Sequence, residues 1–110
     1  MAYDETLAGR IRAAVTGLDG NVTERKMFGG LAFMLNGHMF AGVVGQDLML
    51  RLGEPAASHA LSRPHVREMD FTGRPMKGMV FVGPDGLNGP ALRQWLAEGA
   101  AFAGSLPAKA

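Results

Sequence analysis

Apolar side chains recur along this chain with two different periods, and the change of period marks its elements. Leu7, Ile11, Val15 and Leu18, joined by Ala8 and Ala14, fall three or four residues apart, which predicts a helix over residues 4–18. Asp4 and Glu5 suit the positive N-terminal end of such a helix, and Asp19-Gly20-Asn21 stops it. From residue 22 the pattern changes to strands. Residues 22–28 mix polar and apolar positions, as a half-exposed edge strand does. Gly29-Gly30 allows a tight turn or a bulge, because glycine accepts positive φ without a Cβ clash. Residues 31–35 are apolar throughout, Asn36-Gly37 favours a type I′ hairpin loop, and residues 38–44 return. Gly45-Gln46-Asp47 turns once more into a strand over 48–52.

A two-residue loop at Asn36-Gly37 pairs Leu35 with His38, Met34 with Met39, Phe33 with Phe40 and Ala32 with Ala41. Strand side chains alternate between faces. One face then carries Leu31, Phe33, Leu35, Phe40 and Val44. A three-residue turn pairing Val44 with Leu48 adds Leu48, Leu50 and Leu52. The other face carries Ala32, Met34, Met39, Ala41, Val43, Met49 and Arg51. A sheet with one solvated face would be polar there. This second face is apolar, so a helix, the second half of the chain or a partner subunit is expected to cover it.

Gly53-Glu54-Pro55 opens a short helix reaching about Leu61, with Pro55 in its first turn, and Arg63-Pro64 breaks it. Residues 66–71 read as a strand, Thr72-Gly73-Arg74-Pro75 as a turn, and residues 76–82 as a strand containing Gly78. After the Gly83-Pro84-Asp85-Gly86 loop, Asn88 is expected to cap a last helix with Pro90 early in it. Leu92, Trp95, Leu96, Gly99, Phe102 and Leu106 share one side of that helix, and Pro107 closes it. The turn-forming glycines are therefore Gly29, Gly30, Gly37, Gly73 and Gly78. The pattern predicts an α+β fold: three helices and an antiparallel sheet of five to six strands, in the order α-β-β-β(-β)-α-β-β-α. With 110 residues the chain suits a single domain, 1–110, with an ordered core over about 4–106.

Composition narrows the function classes. Apolar residues make up 47% of the chain, which argues for a packed core over disorder. Eleven basic and ten acidic residues leave a net charge of +1, too little to draw nucleic acid by counterion release. There is no cysteine, which removes disulfides, thiolate chemistry and cysteine-type zinc sites and favours a cytoplasmic location. The first residues have neither a basic nor an apolar region, so no signal peptide is expected, and no run is long enough for a membrane helix.

Candidate chemistry is sparse. His38, His59 and His65 lack metal-ligand spacing. Ser58, Ser62 and Ser105 sit in no Gly-x-Ser-x-Gly elbow, and Ser58-His59 would splay apart on a helix. The Gly83–Gly89 stretch lacks the Gly-Lys-Ser/Thr ending of a phosphate loop. Four cations remain: Lys26 before the glycine pair, Arg51 on the second face, and Arg74 and Lys77 flanking Pro75-Met76. They frame a groove for an acidic partner or act as solvated charges that keep strand edges from aggregating. Eight methionines are many for this length, and flexible thioethers suit both core filling and adaptable interfaces.

Lys26-Met27-Phe28-Gly29-Gly30-Leu31-Ala32-Phe33, Asn36-Gly37, Asp47-Leu48-Met49-Leu50-Arg51, Met69-Asp70-Phe71-Thr72-Gly73-Arg74-Pro75-Met76-Lys77-Gly78, and Trp95 followed by Phe102-Ala103-Gly104-Ser105-Leu106-Pro107 together resemble the N-terminal domain of the TfoX/Sxy family. Those proteins are associated with regulation of bacterial competence. The resemblance runs from the first helix to Pro107. It departs at Met79, where relatives often carry an aromatic residue. It implies a two-layer α+β fold similar to type III secretion chaperones. Full competence regulators also carry a C-terminal helical domain, and a stand-alone N-terminal domain is the expectation here. The resemblance brings no catalytic residue.

The expected function is a non-enzymatic regulatory or protein-interaction module, linked to competence or transcription regulation, with no cofactor or metal. Its expected partners are a second copy, forming a homodimer, and an unidentified protein, with no direct nucleic-acid or membrane contact. The candidate interaction surface is Lys26, Met34, Met39, Met49, Arg51, Arg74, Met76 and Lys77. The alternative is an enzyme or small-ligand-binding protein with a basic pocket near Arg51, Arg74 and Lys77.

Overall fold

The computed structural model describes residues 3–17, 21–27, 29–71 and 74–106, and their side chains except those of 27, 69–71 and 74–77. The elements run α1 (Glu5–Val15), β1 (Val22–Met27), β2 (Gly30–Leu35), β3 (His38–Val44), β4 (Asp47–Arg51), α2 (Glu54–Ala60), β5 (Val66–Phe71), β6 (Arg74–Val82), a 3₁₀ turn (Pro84–Gly86) and α3 (Ala91–Gly104). This is the expected α+β order, with four strands before α2. Among the described residues no helix is long and apolar enough to cross a membrane.

All six strands join one antiparallel sheet in the order β1-β2-β3-β4-β6-β5. Strand chemistry accounts for that order. β6 ends in Met79-Val80-Phe81-Val82, buried on both faces, and takes an inner position between β4 and β5. β1, with Thr23, Glu24, Arg25 and Lys26 all exposed, lies at one edge, and β5, with exposed Arg67 and Glu68, at the other.

The helices cover one face. Leu7, Ile11 and Val15 of α1, Ala57 and Ala60 of α2, and Leu92, Trp95, Leu96 and Ala103 of α3 share a core with Leu31, Phe33, Leu35, Leu48, Leu50, Val80 and Val82. Burying each large side chain contributes roughly 1.5–3 kcal/mol. Gly99 lets α3 lie close to the sheet: a Cβ there would stand 2.8 Å from the Phe40 carbonyl oxygen and 2.9 Å from Leu50.

Helix ends depart from the expectation in three places. Asp4 caps α1 by accepting hydrogen bonds from the N–H groups of Thr6 (2.8 Å) and Leu7 (3.2 Å), and the helix stops at Val15, short of residue 18. Leu18 lies outside the described residues. Asn88 is not the cap of α3; Pro90 takes that position, and the Asn88 carbonyl accepts from Ala91 N–H. Ala103, one residue past Phe102, completes the buried stripe, and Leu106 follows the helix end. Arg63 ties the loop before β5 to α3, with its guanidinium 3.7 Å from the Trp95 ring centroid and two 3.0 Å bonds to the Glu98 carboxylate.

The central hairpin follows the expected register at its tip and departs from it beyond. Asn36 and Gly37 both have positive φ, 51° and 86°, and Leu35 faces His38 and Met34 faces Met39. Past that point Phe33 pairs with Ala41 and Ala32 with Gly42, so Phe40 is an extra residue in β3. The expected pairs Phe33–Phe40 and Ala32–Ala41 are replaced. Phe40 and Ala41 both reach the helix-side core, Val43 joins them, and Val44 turns to the opposite face. The next turn is also shorter than expected: Val44 pairs with Asp47 and Val43 with Leu48.

Candidate interaction surface

The second face of the sheet is apolar, and its residues fall in a row across all six strands. Successive pairings place Arg25, Ala32, Gly42, Met49, Phe81 and Arg67 side by side. Ala32, Met49, Met79 and Phe81 form a small second core, in which Met49 is only 1% exposed. Gly42 makes this possible. A Cβ on Gly42 would stand 2.5 Å from the Met49 methyl carbon, so Met49 lies where a larger residue's side chain would be. The Phe40 bulge puts Gly42 on this face; strict alternation would have put Val43 there.

Met34, Met39 and Val44 are half-buried and pack against this second core. Among the described residues no helix contributes to it. At the β5 side Arg67 closes the row. Its guanidinium lies 4.8 Å from the Phe81 ring centroid and bonds to the Asp47 carboxylate.

The candidate residues therefore divide. Met34, Met39 and Met49 come together on the second face. Arg51 starts there, opposite Met79, but its guanidinium reaches α3 and lies 5.2 Å from the Phe102 ring centroid. Lys26 pairs with Leu31 and so belongs to the helix-facing side of β1, away from the methionines. Arg74, Met76 and Lys77 have their backbones in β6, and their side chains lie outside the described residues, as does Gly73. Gly29 turns with φ 72°. Gly30 is held to glycine by the Val43 carbonyl oxygen, which a Cβ would meet at 2.2 Å. Gly78 (φ 82°) accepts hydrogen bonds from Leu52 N–H (2.8 Å) and Gly53 N–H (3.1 Å), joining β6 to the start of α2.

Among the described residues several open grooves border the helix layer, and two of them reach the sheet. One, of about 460 Å³, is lined by Arg51, Leu52, Gly53, Glu54, Gly78 and Phe102. Arg51 and Glu54 put one charge of each sign on its wall. The other, of about 670 Å³, runs between α1 and β1 over Phe33. There Arg12 grips Glu24 through two bonds of 2.7 and 3.0 Å, and the hydrogen bond and charge of Glu24 raise the Arg12 pKa.

His38 is half-buried in β3, while His59 and His65 are exposed at α2 and before β5. Among the described residues no three His, Cys, Asp or Glu side chains are grouped to hold a metal. Sequence reasoning missed Gly42, Phe81, Arg67 and Phe102. A glycine inside an apolar strand was the one available signal, since such a residue marks close approach.

The family model for the TfoX N-terminal domain matches residues 14–103. No match was found among curated proteins or among solved structures. The matched stretch begins in the last turn of α1, takes in all six strands and α2, and ends one residue before α3 does. The chain belongs to the TfoX N-terminal domain family.

Proposed function

We propose that this domain is a non-enzymatic regulatory module that works by protein–protein contact and self-associates through the second face of its sheet. The observation that carries the reading is the half-exposed pair Met34 and Met39 with Val44, lying over a core that no described helix covers. Flexible thioethers over a firm floor suit a surface that adapts to its partner. The association of TfoX proteins with bacterial competence supports a regulatory role. The reading needs no cofactor.

Sedimentation equilibrium at micromolar concentration tests it. A dimer is expected, and Met39→Glu is expected to dissociate it, because a carboxylate buried in an apolar interface without a partner is strongly unfavourable. A chain monomeric at every concentration would refute self-association. A dimer that survives Met39→Glu would place the contact elsewhere.

A further inference from the structure

Among the described residues β1 lies at the edge of the sheet and pairs only with β2, so one row of its backbone groups is unused by the sheet. The direction of that row follows from the next residue. Asn36 N–H donates to the Asn21 carbonyl at 3.0 Å, so odd-numbered residues here turn their backbone groups toward β2. In an antiparallel pair such groups alternate in direction. Val22, Glu24 and Lys26 therefore aim N–H and C=O outward.

The 670 Å³ groove runs beside this edge, lined by Arg12, Val15, Thr16, Val22, Glu24 and Phe33. Its floor is apolar. Arg12 neutralises Glu24, and among the described residues neither Arg25 nor Lys26 has a carboxylate partner. The charge left along the edge is positive. Charged side chains on an edge strand discourage indiscriminate pairing, but they leave the backbone groups and the groove open to a segment of complementary charge.

We propose that β1 and the α1–β1 groove receive an extended acidic segment of a partner protein as a seventh strand. Alternate apolar side chains of that segment enter the groove over Phe33, and its carboxylates, on the opposite face of the added strand, meet Arg25, while Lys26 adds to the positive field of the edge. Backbone hydrogen bonds hold the strand, and the alternating pockets select it. This inference rests on the reading of the domain as a protein-binding module, but it uses a different surface from the methionine face.

The probe is a fluorescein-labelled peptide, Val-Asp-Val-Asp-Val-Asp-Val, with polarisation as the readout. Two further versions carry N-methyl groups on the inner Val residues or on the Asp residues. Only one set of peptide N–H groups faces β1, so one version is expected to lose at least about tenfold in affinity, as two lost hydrogen bonds imply, while the other stays within about twofold. The Arg25→Glu, Lys26→Glu double variant is expected to lose the acidic peptide and gain its Val-Lys counterpart. No binding at millimolar peptide overturns the proposal. So does equal binding of both N-methylated versions, which would mean charge attraction without strand addition. A dimer that resists Met39→Glu but dissociates with Glu24→Pro would assign the edge to a second copy, and that too overturns it. Proline at an outward-facing edge position is compatible with the fold, and Trp95 fluorescence checks that it is.

Discussion

Replacing Gly42 with alanine tests whether the second face is a packed core. The added methyl would stand 2.5 Å from the Met49 methyl carbon, 2.8 Å from the Leu31 carbonyl oxygen and 3.4 Å from the Ala32 Cα. Met49 can rotate away, because a thioether side chain is flexible. The Leu31 oxygen belongs to the β2 backbone and cannot move without disturbing the pairing of Ala32 with Gly42. Overpacking of this kind costs about 1–3 kcal/mol, and a backbone contact argues for the upper half of that range. Alanine also restricts the unfolded chain more than glycine does, which returns about 0.5–1 kcal/mol. The net expectation is a loss of about 1–2.5 kcal/mol. With a urea dependence of about 1.5 kcal/mol per molar, the midpoint falls by about 1 M. Urea titration followed by the fluorescence of Trp95, the sole tryptophan and only 4% exposed, measures it. Gly9→Ala is the control. Gly9 lies in α1 with nothing within 4 Å of an added Cβ, so helix propensity predicts a gain of up to about 1 kcal/mol. A Gly42→Ala midpoint equal to or above that of the unsubstituted protein would refute the close packing of Met49 over β3.

Two smaller perturbations concern Arg63 and Asn36. Arg63→Ala removes the guanidinium from the Trp95 ring and leaves Glu98 without its partner; the expected loss is about 0.5–1 kcal/mol for a half-exposed site, with a red-shifted Trp95 emission. Unchanged emission would count against the stacking. Asn36→Ala keeps φ at 51° without a side chain suited to it and removes the 3.0 Å bond from Asn21 N–H to the Asn36 Oδ1. A loss of about 1–2 kcal/mol is expected in the same titration, and Asn36→Gly is expected to recover part of it.

Much of this architecture was legible because local pattern and tertiary environment agree. Leu7, Ile11 and Val15 fit one helix period, and Asn36-Gly37 dictates its loop. Leu31, Phe33 and Leu35 alternate with Ala32 and Met34, so the faces of β2 follow from sequence. β3 was harder. Both its faces are apolar, so a shift of one residue exposes nothing polar to report it. The bulge at Phe40 lies beneath α3, whose Gly99 sits against the Phe40 carbonyl, and no local signal carries that contact. Asn88 reads as a cap by residue type, but Pro90 fixes the backbone two residues later and takes the position. The contact of Arg51 with Phe102 joins elements distant in sequence, and Arg67 meets Phe81 because the β5–β6 register shifts between Glu68 and Asp70, so charge pattern alone could not pair either. The methionine-rich face was legible; that Met49 fills the space over a glycine was not.

The place of β6 between β4 and β5 carries a consequence for how the chain is made. During synthesis, β4 emerges with one side already pairing to β3 and the other side bare, and it stays so until Val82 has left the ribosome. At ordinary translation speeds that interval is on the order of seconds. Through it, Leu48, Met49 and Leu50 line an open, apolar strand that any similar nascent strand could join. The late arrival of β6 therefore makes those seconds the period in which this protein is most open to joining the wrong neighbour.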